Sequence, residues 1–396
     1  MVAYGTTSGE KKPIRMASII FTGGGTGGHV YPGLAVYAAV PAELRQQVVW
    51  IGSLRGMERS IVAGSDIPYR GVPAGKLRRY RDPENILDVA RVLAGIVAAW
   101  RLLGHLKARV VFSKGGFVAV PVVVAAWLRR IPVVIHESDA DPGLATRLTA
   151  PLARRIFVAY PDTLRTLGAR LRQRARVSGN PVRRAFLEPE ARGDAGLPGI
   201  ADDGRPLLLV TGGSLGARQL NELIVETIAQ LGERALVVHQ CGEHGREAAR
   251  RAAARAPEGS YLARPRFDAE FPALLRRAEV VVARAGAGTI WEIAVCRTPA
   301  ILVPLSTGAS RGDQIRNARR FAAATGALVL EDPALDAAAF RAAVLGLLDD
   351  SARRIKMRSA MAGWAATDAA EVIAAELALR ARMKYHASGE HGYRRD

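Results

Sequence analysis

The sequence predicts an α/β protein built from two Rossmann-like parallel-sheet domains that face each other across a cleft. In both halves of the 396-residue chain, short apolar runs alternate with helical stretches, which is the pattern of parallel strands covered by helices on both faces. Each half opens with an apolar strand that runs into a glycine-rich turn, at residues 19–28 and 207–217. The chain is also too long for one ordinary core, so two domains are favoured.

The stretch between the two halves is rich in Gly, Pro, Asp and Glu, which indicates a linker or a long surface loop. The chain ends in a polar, charged run that is typical of a disordered tail. We therefore predict six segments: a flexible N-terminal extension (1–16), an N-terminal domain (17–184), a linker (185–206), a C-terminal domain (207–365), a C-terminal helix that packs back on the N-terminal domain (366–385) and a disordered tail (386–396).

The first glycine turn holds the residues on which the prediction of function depends. An apolar strand at 19–21 is followed by GGGTGG at 23–28 and then by His29, where a helix is predicted to begin. Glycine permits positive φ and a close backbone approach to a ligand, and the N–H groups that open a helix attract an anion. We expect the His29 imidazole to face the same cavity; a capping role at the helix start is the alternative.

This turn does not match the dinucleotide-binding fingerprint. Its spacing is not G-x-G-x-x-G, and the second predicted strand, 48–51, runs into Gly52 and Ser53 rather than into an acidic residue. Both observations argue against a nicotinamide cofactor.

Three further glycine turns follow predicted strands, at 115–116, 212–217 and 284–288. In an open parallel sheet, ligands bind beyond the carboxyl ends of the strands, so these turns should open into one cleft. Several N–H donors that point at one cavity suit a pyrophosphate. The side chains expected to line the cleft are His29, His136 and Glu137 on one side, and Ser214, Thr289, Glu292 and Gln314 on the other.

Four charged residues near these turns have alternative interpretations. Glu292 would repel phosphate, so we expect it to accept hydrogen bonds from sugar hydroxyls, with helix capping as the alternative. Arg183 is a candidate phosphate clamp or an ordinary solvated charge. Asp139 and Asp141 match the D-x-D spacing of a metal-binding motif, but they lie in a loop opposite the nucleotide half, and we predict no metal.

The composition points to an anionic partner. The formal net charge is +19 and the pI is about 10.7, so we expect attraction to a phosphorylated substrate or an acidic membrane surface. No nucleic-acid-binding motif is visible. Two cysteines without metal-ligand spacing fit a reducing compartment. We see no signal peptide and no run of about 18 apolar residues, so a soluble or peripheral protein is predicted.

The motifs GGGTGGHVYPGLA, SKGGF, HESDADPG, SGNPVR, GGSLGARQLN, RAGAGTIWE and PLSTGASRGDQIRNA resemble, in this order, those of the MurG family of GT-B glycosyltransferases. The resemblance spans roughly residues 17–330. It implies an inverting enzyme that moves N-acetylglucosamine (GlcNAc) from UDP-GlcNAc to the 4-hydroxyl of MurNAc in lipid I, giving lipid II for peptidoglycan. It also implies that no tightly bound metal or other cofactor is needed.

The resemblance implies a role for each candidate residue. His29 would be the general base. The acceptor would contact Gly24, Gly25, Thr26, Gly27, Gly28, Gly115, Gly116, His136, Glu137 and Asp139. UDP-GlcNAc would contact Thr26, Gly27, Gly28, Asp139, Arg183, Gly213, Ser214, Asp268, Ala287, Gly288, Thr289, Glu292 and Gln314. Within this set, Glu292 would hold the ribose hydroxyls. Family members often carry Gln-Asn where this chain has Ser138-Asp139, and Tyr where it has Phe117.

A basic and apolar segment bears on localisation. Lys76, Arg78, Arg79 and Arg81 precede an apolar stretch at 86–106 that contains Trp100. Such a segment suits an anionic membrane surface, where each basic residue contributes about 1 kcal/mol, and an ordinary core helix is the alternative. The resemblance implies peripheral binding to the cytoplasmic side of the cell membrane, with partners among cell-wall or division proteins and without nucleic acid.

Two rival interpretations keep the fold and change the function. A glycolipid synthase or a UDP-GlcNAc epimerase would share the donor half, but the GGGTGGH turn and the HES sequence of the acceptor half argue against both. A non-catalytic sensor or scaffold that binds a nucleotide sugar is the third possibility. His29 and Glu292 together disfavour it.

Overall fold

The structure, a computed structural model, describes residues 18–75, 84–188, 203–213, 216–306, 312–331, 335–364 and 367–383, with the backbone alone for 84–87. The predicted N-terminal extension, the basic residues at 76–81, most of the predicted linker, Ser214 and the predicted tail lie outside the described residues.

The N-terminal sheet has seven parallel strands in the order β3-β2-β1-β4-β5-β6-β7. Their bounds are β1 Ile19–Thr22, β2 Val48–Ser53, β3 Tyr69–Val72, β4 Val110–Ser113, β5 Val133–Glu137, β6 Arg155–Val158 and β7 Ala175–Val177. The last of these was not predicted, because it is a largely exposed edge strand without an apolar run.

The C-terminal sheet has six parallel strands in the order β10-β9-β8-β11-β12-β13. Their bounds are β8 Leu207–Thr211, β9 Leu236–Gln240, β10 Tyr261–Arg264, β11 Val280–Ala283, β12 Ala300–Leu302 and β13 Leu328–Val329. The prediction of two Rossmann-like parallel-sheet domains is confirmed.

Helices connect the strands in both domains. In the N-terminal domain they are α1 Tyr31–Ala39, α2 Ala42–Arg45, α3 Met57–Ala63, α4 Glu84–His105, α5 Ala119–Leu128, α6 Leu144–Thr149, α7 Thr163–Thr166, α8 Ala169–Arg172 and α9 Arg184–Leu187. In the C-terminal half they are α10 Arg218–Arg234, α11 Arg246–Ala253, α12 Phe271–Arg277, α13 Ala287–Cys296, α14 Asp313–Thr325, α15 Ala337–Asp349, α16 Ser351–Trp364 and α17 Ala369–Arg382. Short 3-10 helices cover Gly27–His29, Ala150–Leu152 and Glu243–Gly245.

The N-terminal sheet is buried on both faces. Side chains alternate across a strand, so Ile19 and Phe21 of β1 belong to one core cluster and Ile20 belongs to the other. This two-sided burial explains why the strands appear in the sequence as continuous apolar runs rather than as alternating patterns.

The chain returns to the N-terminal domain at its C-terminal end. Helix α17 packs against α1, and its Ile373 and Leu377 are fully buried in the core cluster that contains Phe21 and Trp50. An exposed ion pair between Arg382 and Glu43, 2.6 Å apart, lies at the edge of this contact. Apolar burial therefore accounts for the docking far more than the surface ion pair does.

Candidate active site

The strand order places the predicted turns. In each sheet, successive strands are added first on one side of the first strand and then on the other. This change of side lies between β1 and β4 in the N-terminal sheet and between β8 and β11 in the C-terminal sheet. Ligands of open α/β sheets bind at such switch points, beyond the carboxyl ends of the strands. The glycine turns at 23–28 and 115–116 flank the first switch point, and the described residues of the turns that follow β8 and β11 flank the second.

His29 closes the first glycine turn. It is the last residue of the 3-10 helix Gly27–His29, and α1 begins at Tyr31, two residues later than predicted. Its Nδ1 lies 3.0 Å from the hydroxyl Oγ1 of Thr26, and its backbone N–H donates to the Thr26 carbonyl at 3.1 Å. The turn thus holds the imidazole through both its ring and its backbone.

The two N-terminal glycine turns touch each other. A Cβ atom on Gly116 would collide with the Gly24 carbonyl and lie 3.2 Å from His29 Nδ1, and Gly116 has a φ of +80°. The ring of Phe117 lies against Gly25, whose φ is +85°. Only glycine combines this backbone conformation with this close approach, so both turns and the imidazole form one packed unit.

The imidazole of His29 is neutral at physiological pH. Burial, and secondarily the positive charge of Lys114, lower its pKa to about 4, against smaller opposing effects of the Gly24 backbone and Glu58. A neutral imidazole has a free lone pair and can accept a proton, as a general base must.

His136 does not line the cleft as predicted. It is fully buried, its Nε2 lies 2.9 Å from the Gly179 carbonyl, and its Nδ1 has no hydrogen-bond partner among the described residues. The side chain is therefore enclosed near the end of β5 and is not open to the cleft. Its neighbour Glu137 instead braces the following loop, accepting from the N–H groups of Asp139 at 3.0 Å and Gly143 at 3.1 Å.

The loop after β5 joins the two domains. Asn317 of α14 donates from Nδ2 to Asp139 Oδ1 at 2.9 Å and accepts from the Ala140 N–H at 3.1 Å. Arg316 pairs with Asp141 at 2.5 Å. Both aspartates of the D-x-D sequence are therefore bound to C-terminal side chains. Among the residues that the structure describes, no group of three or more His, Cys, Asp or Glu is placed to hold a metal ion.

The C-terminal turns leave space at the cleft. A Cβ atom on Gly213 or on Gly288 would meet no atom within 4 Å. Helix α13 begins with Ala287, Gly288 and Thr289, and no side chain caps its N-terminus, so its first N–H groups point into that space. Ser214 lies outside the described residues.

Glu292 and Arg183 form an ion pair, 3.6 Å apart, between helix α13 and the domain junction. The Glu292 side chain is 17% exposed, and burial raises its pKa to about 7 against the opposing effect of Arg183. The Arg183 guanidinium also lies 5.2 Å from the ring of Tyr31, at the start of α1. Arg183 therefore joins helix α13 to the start of α1, directly after the turn that carries His29.

The other predicted donor contacts lie at the ends of C-terminal elements. Gln314 is in the first turn of α14, where its Oε1 accepts from the Leu305 N–H at 3.1 Å. Asp268 is exposed and pairs with Arg266 at 2.6 Å, next to the buried Phe267. Gln314 is thus held against Leu305, and its α14 neighbours Arg316 and Asn317 contact the 139–141 loop.

Sequence reasoning missed four residues of this region: Tyr31, Glu58, Lys114 and Asn317. Lys114 is buried and donates from Nζ to Ser138 Oγ at 2.6 Å, and burial lowers its pKa to about 8. The SKGGF motif contains this lysine, so the charge beside the glycines was a usable signal. Asn317 also lies in a quoted motif, PLSTGASRGDQIRNA, but its role in joining the domains was not visible, because its partners are far away in the sequence.

The comparisons with known proteins cover both domains. The glycosyltransferase family 28 N-terminal domain matches residues 19–158, and its C-terminal domain matches residues 207–373. The crystal structure of MurG from Acinetobacter baumannii has a TM-score of 0.69 and 27% identity, covering 91% of this chain and 98% of that one. A UDP-N-acetylglucosamine–N-acetylmuramyl-(pentapeptide) pyrophosphoryl-undecaprenol N-acetylglucosamine transferase from Treponema pallidum is 44% identical over 315 residues, 79% of this chain and 82% of the relative. The chain belongs to the MurG family.

Membership of the MurG family confirms the resemblance on which the expected GT-B fold and transferase activity rest. A putative UDP-N-acetylglucosamine 2-epimerase from Listeria monocytogenes is also similar, with a TM-score of 0.65 over 92% of this chain and 96% of that one. Its identity is 15%, so this likeness shows the fold alone. The transferase, not the epimerase, is the relative in sequence.

Proposed function

We propose that this protein is the inverting glycosyltransferase that moves GlcNAc from UDP-GlcNAc to the 4-hydroxyl of MurNAc in lipid I, giving lipid II for peptidoglycan. The observation that carries the proposal is the pairing of two opposed sites. A neutral His29 lies between two glycine turns on one side, and the uncapped start of α13 with Glu292 lies on the other. The MurG-family relatives have the corresponding activity in their names.

The proposed reaction is a single displacement. The 4-hydroxyl oxygen of MurNAc attacks the anomeric carbon of GlcNAc, and the bond from that carbon to the UDP oxygen breaks. The hydroxyl proton goes to His29, and UDP leaves with the electron pair. The N–H groups of Gly288 and Thr289 would stabilise the charge that gathers on the leaving phosphate.

We propose that no tightly bound metal takes part, because these amides and Arg183 supply the positive potential. The test is transfer of labelled GlcNAc from UDP-GlcNAc to a short-chain lipid I analogue, with and without EDTA. We expect the same rate in both tubes. Loss of activity with EDTA, restored by a divalent cation, would contradict metal independence. If the folded protein binds UDP-GlcNAc but transfers nothing, lipid I is not its acceptor. That result would favour a non-catalytic sensor or scaffold.

The exposed face of α4 supports a membrane location. Val89, Leu93, Val97 and Trp100 recur at spacings of three and four residues, so they lie on one face of the helix. With Trp127 and Leu128 at the end of α5 they form the α4 patch, in which each side chain is between 44% and 59% exposed. An apolar patch of this kind marks an interaction surface.

Basic residues border the α4 patch. The Arg129 guanidinium lies 3.9 Å from the centroid of the Trp100 ring, and Arg101 and Lys107 are exposed nearby on the same helix and its end. No helix in the described part of the chain is both long enough and apolar enough to span a bilayer. We propose that the α4 patch rests on the anionic cytoplasmic surface of the cell membrane, where it would meet lipid I.

Replacing Leu93 and Trp100 by glutamate should weaken binding to vesicles that contain anionic lipid by roughly 100-fold or more. Burying each apolar side chain contributes about 1.5–3 kcal/mol, and each new carboxylate adds repulsion. Co-sedimentation measures the change. Ile355→Glu, at an equally exposed apolar side chain of α16, is the matched control and should bind like the wild type. Equal loss in both variants would contradict a specific α4 patch.

A further inference from the structure

Glu58 is a buried acidic residue directly behind the first glycine turn. It is the second residue of α3 and is fully buried. Its Oε1 accepts from the N–H of Ser53 at 2.9 Å and from the Ser53 hydroxyl at 2.5 Å. Its Oε2 accepts from the N–H of Gly25 at 3.2 Å. A buried carboxylate needs such donors, and this one has them on both oxygens.

The glycine turn is shaped around this side chain. A Cβ atom on Gly24 would lie 2.5 Å from Glu58 Cδ, and one on Gly56 would collide with both carboxylate oxygens. Any side chain at position 24 would therefore push Glu58 away from the turn. The glycine at position 24, which the sequence suggested was there for a ligand, is required by Glu58 as well.

The hydrogen bond to Glu58 also changes what the turn can do. The sequence suggested that the Gly25 N–H could donate to an anionic substrate. In the structure this N–H already donates to the Glu58 carboxylate, so it is not free to do so. The same bond fixes the backbone one residue before Thr26. Thr26 in turn contacts His29 twice, through its hydroxyl at 3.0 Å and its carbonyl at 3.1 Å. A continuous path of contacts thus leads from Glu58 to the imidazole.

We propose that Glu58 is a positioning residue that sets the orientation of His29 and the charge around it. The proposal rests on the proposed function, in which His29 is the base. Two charged groups act on His29 among the described residues, Lys114 from the second glycine turn and Glu58 from α3. Lys114 opposes protonation of the imidazole and Glu58 favours it, so each charge moves the pH at which the base becomes inactive.

The test compares Glu58→Gln with wild type in the transfer assay. Glutamine keeps the shape, and its one oxygen should face the two donors of Ser53, so the Gly25 N–H meets an amide nitrogen that cannot accept a hydrogen bond. We expect kcat to fall roughly 10- to 100-fold, because small displacements of a catalytic group have effects of this size. The KM for UDP-GlcNAc should be unchanged. The acid limb of the kcat profile should move to lower pH, because a negative charge near His29 is gone.

Amide hydrogen exchange gives a second readout that needs no activity. The peptide containing Gly25 should exchange faster in Glu58→Gln, while peptides from the C-terminal domain should not change. Glu43→Gln, which removes a surface carboxylate paired with Arg382 in the same domain, is the matched control and should behave like wild type. If Glu58→Gln does not fold, Gly24→Ala tests the same contact by displacing the carboxylate, and a comparable loss of kcat is expected.

The possible outcomes distinguish a failure of the positioning role of Glu58 from a failure of the proposed transferase function. A wild-type kcat in Glu58→Gln would overturn the positioning role. A lower kcat with no shift of the acid limb of the kcat–pH profile and no change in hydrogen exchange would also overturn it, because that result indicates a purely structural role. If the wild type itself transfers nothing, the proposed function fails. In that case amide hydrogen exchange in Glu58→Gln still tests whether Glu58 holds the turn. Faster exchange at Gly25 supports this role, and unchanged exchange rejects it.

Discussion

His29→Ala is expected to lower kcat for GlcNAc transfer by roughly 10²- to 10⁴-fold, the usual contribution of a general base. The imidazole lies between the two glycine turns. Its lowered pKa leaves it neutral at physiological pH, so it can accept the proton of the acceptor hydroxyl. Affinity for UDP-GlcNAc should be nearly unchanged, because most of the predicted donor contacts lie in the other domain.

This prediction is checked by two measurements on the same protein samples. Initial rates with saturating substrates give kcat, and calorimetry gives the affinity for UDP-GlcNAc. His244→Ala, at an exposed histidine of the C-terminal domain, is the matched control and should keep wild-type values. A His29→Ala enzyme with wild-type kcat would assign proton removal to another group and leave His29 as a helix cap.

The pH dependence follows from the same residue. Burial lowers the pKa of His29 to about 4, so the base stays unprotonated from neutral pH down to mildly acidic pH. In the enzyme without acceptor, whose protonation is reported by kcat/KM for the acceptor, activity should therefore be lost only as the pH falls towards that value. A bound pyrophosphate acceptor would add negative charge and raise the pKa, which moves the acid limb of kcat to higher pH than that of kcat/KM.

Glu292→Ala is expected to weaken UDP-GlcNAc binding roughly 10- to 100-fold. The predicted hydrogen bonds from two ribose hydroxyls to a charged carboxylate would be lost, and such bonds contribute about 1.5–3 kcal/mol. The change also leaves the Arg183 guanidinium without its partner on α13. Calorimetry measures the affinity, and Glu247→Gln, at an exposed carboxylate of the same domain, is the control.

Proton release provides a sharper test of Glu292. Burial raises its pKa to about 7, so near neutral pH part of the protein carries a protonated Glu292. Hydrogen-bond donors from a ribose favour the ionised form, so binding should release protons and should weaken as the pH falls from about 8 to 6. Calorimetry in buffers of different ionisation enthalpy detects this release. Release that persists unchanged in Glu292→Gln would assign it to another group.

The sequence by itself determined the two-domain α/β architecture and the place of the glycine turns at the ends of its strands. Strands that are buried on both faces must be largely apolar, so their bounds are visible in the chain, as at Val110–Ser113 and Val280–Ala283. The glycines after β1, β4 and β8 are equally visible, because positive φ or close approach excludes other residues there.

Only the tertiary structure decided which side chains reach the cleft. His136 is fully buried, and Asp139 is bound to Asn317, which is 178 positions away. Glu58, on a helix 33 positions further along the chain, accepts a hydrogen bond from the Gly25 N–H. These contacts depend on the packing of distant elements and on side-chain direction, and a local sequence pattern carries information about neither.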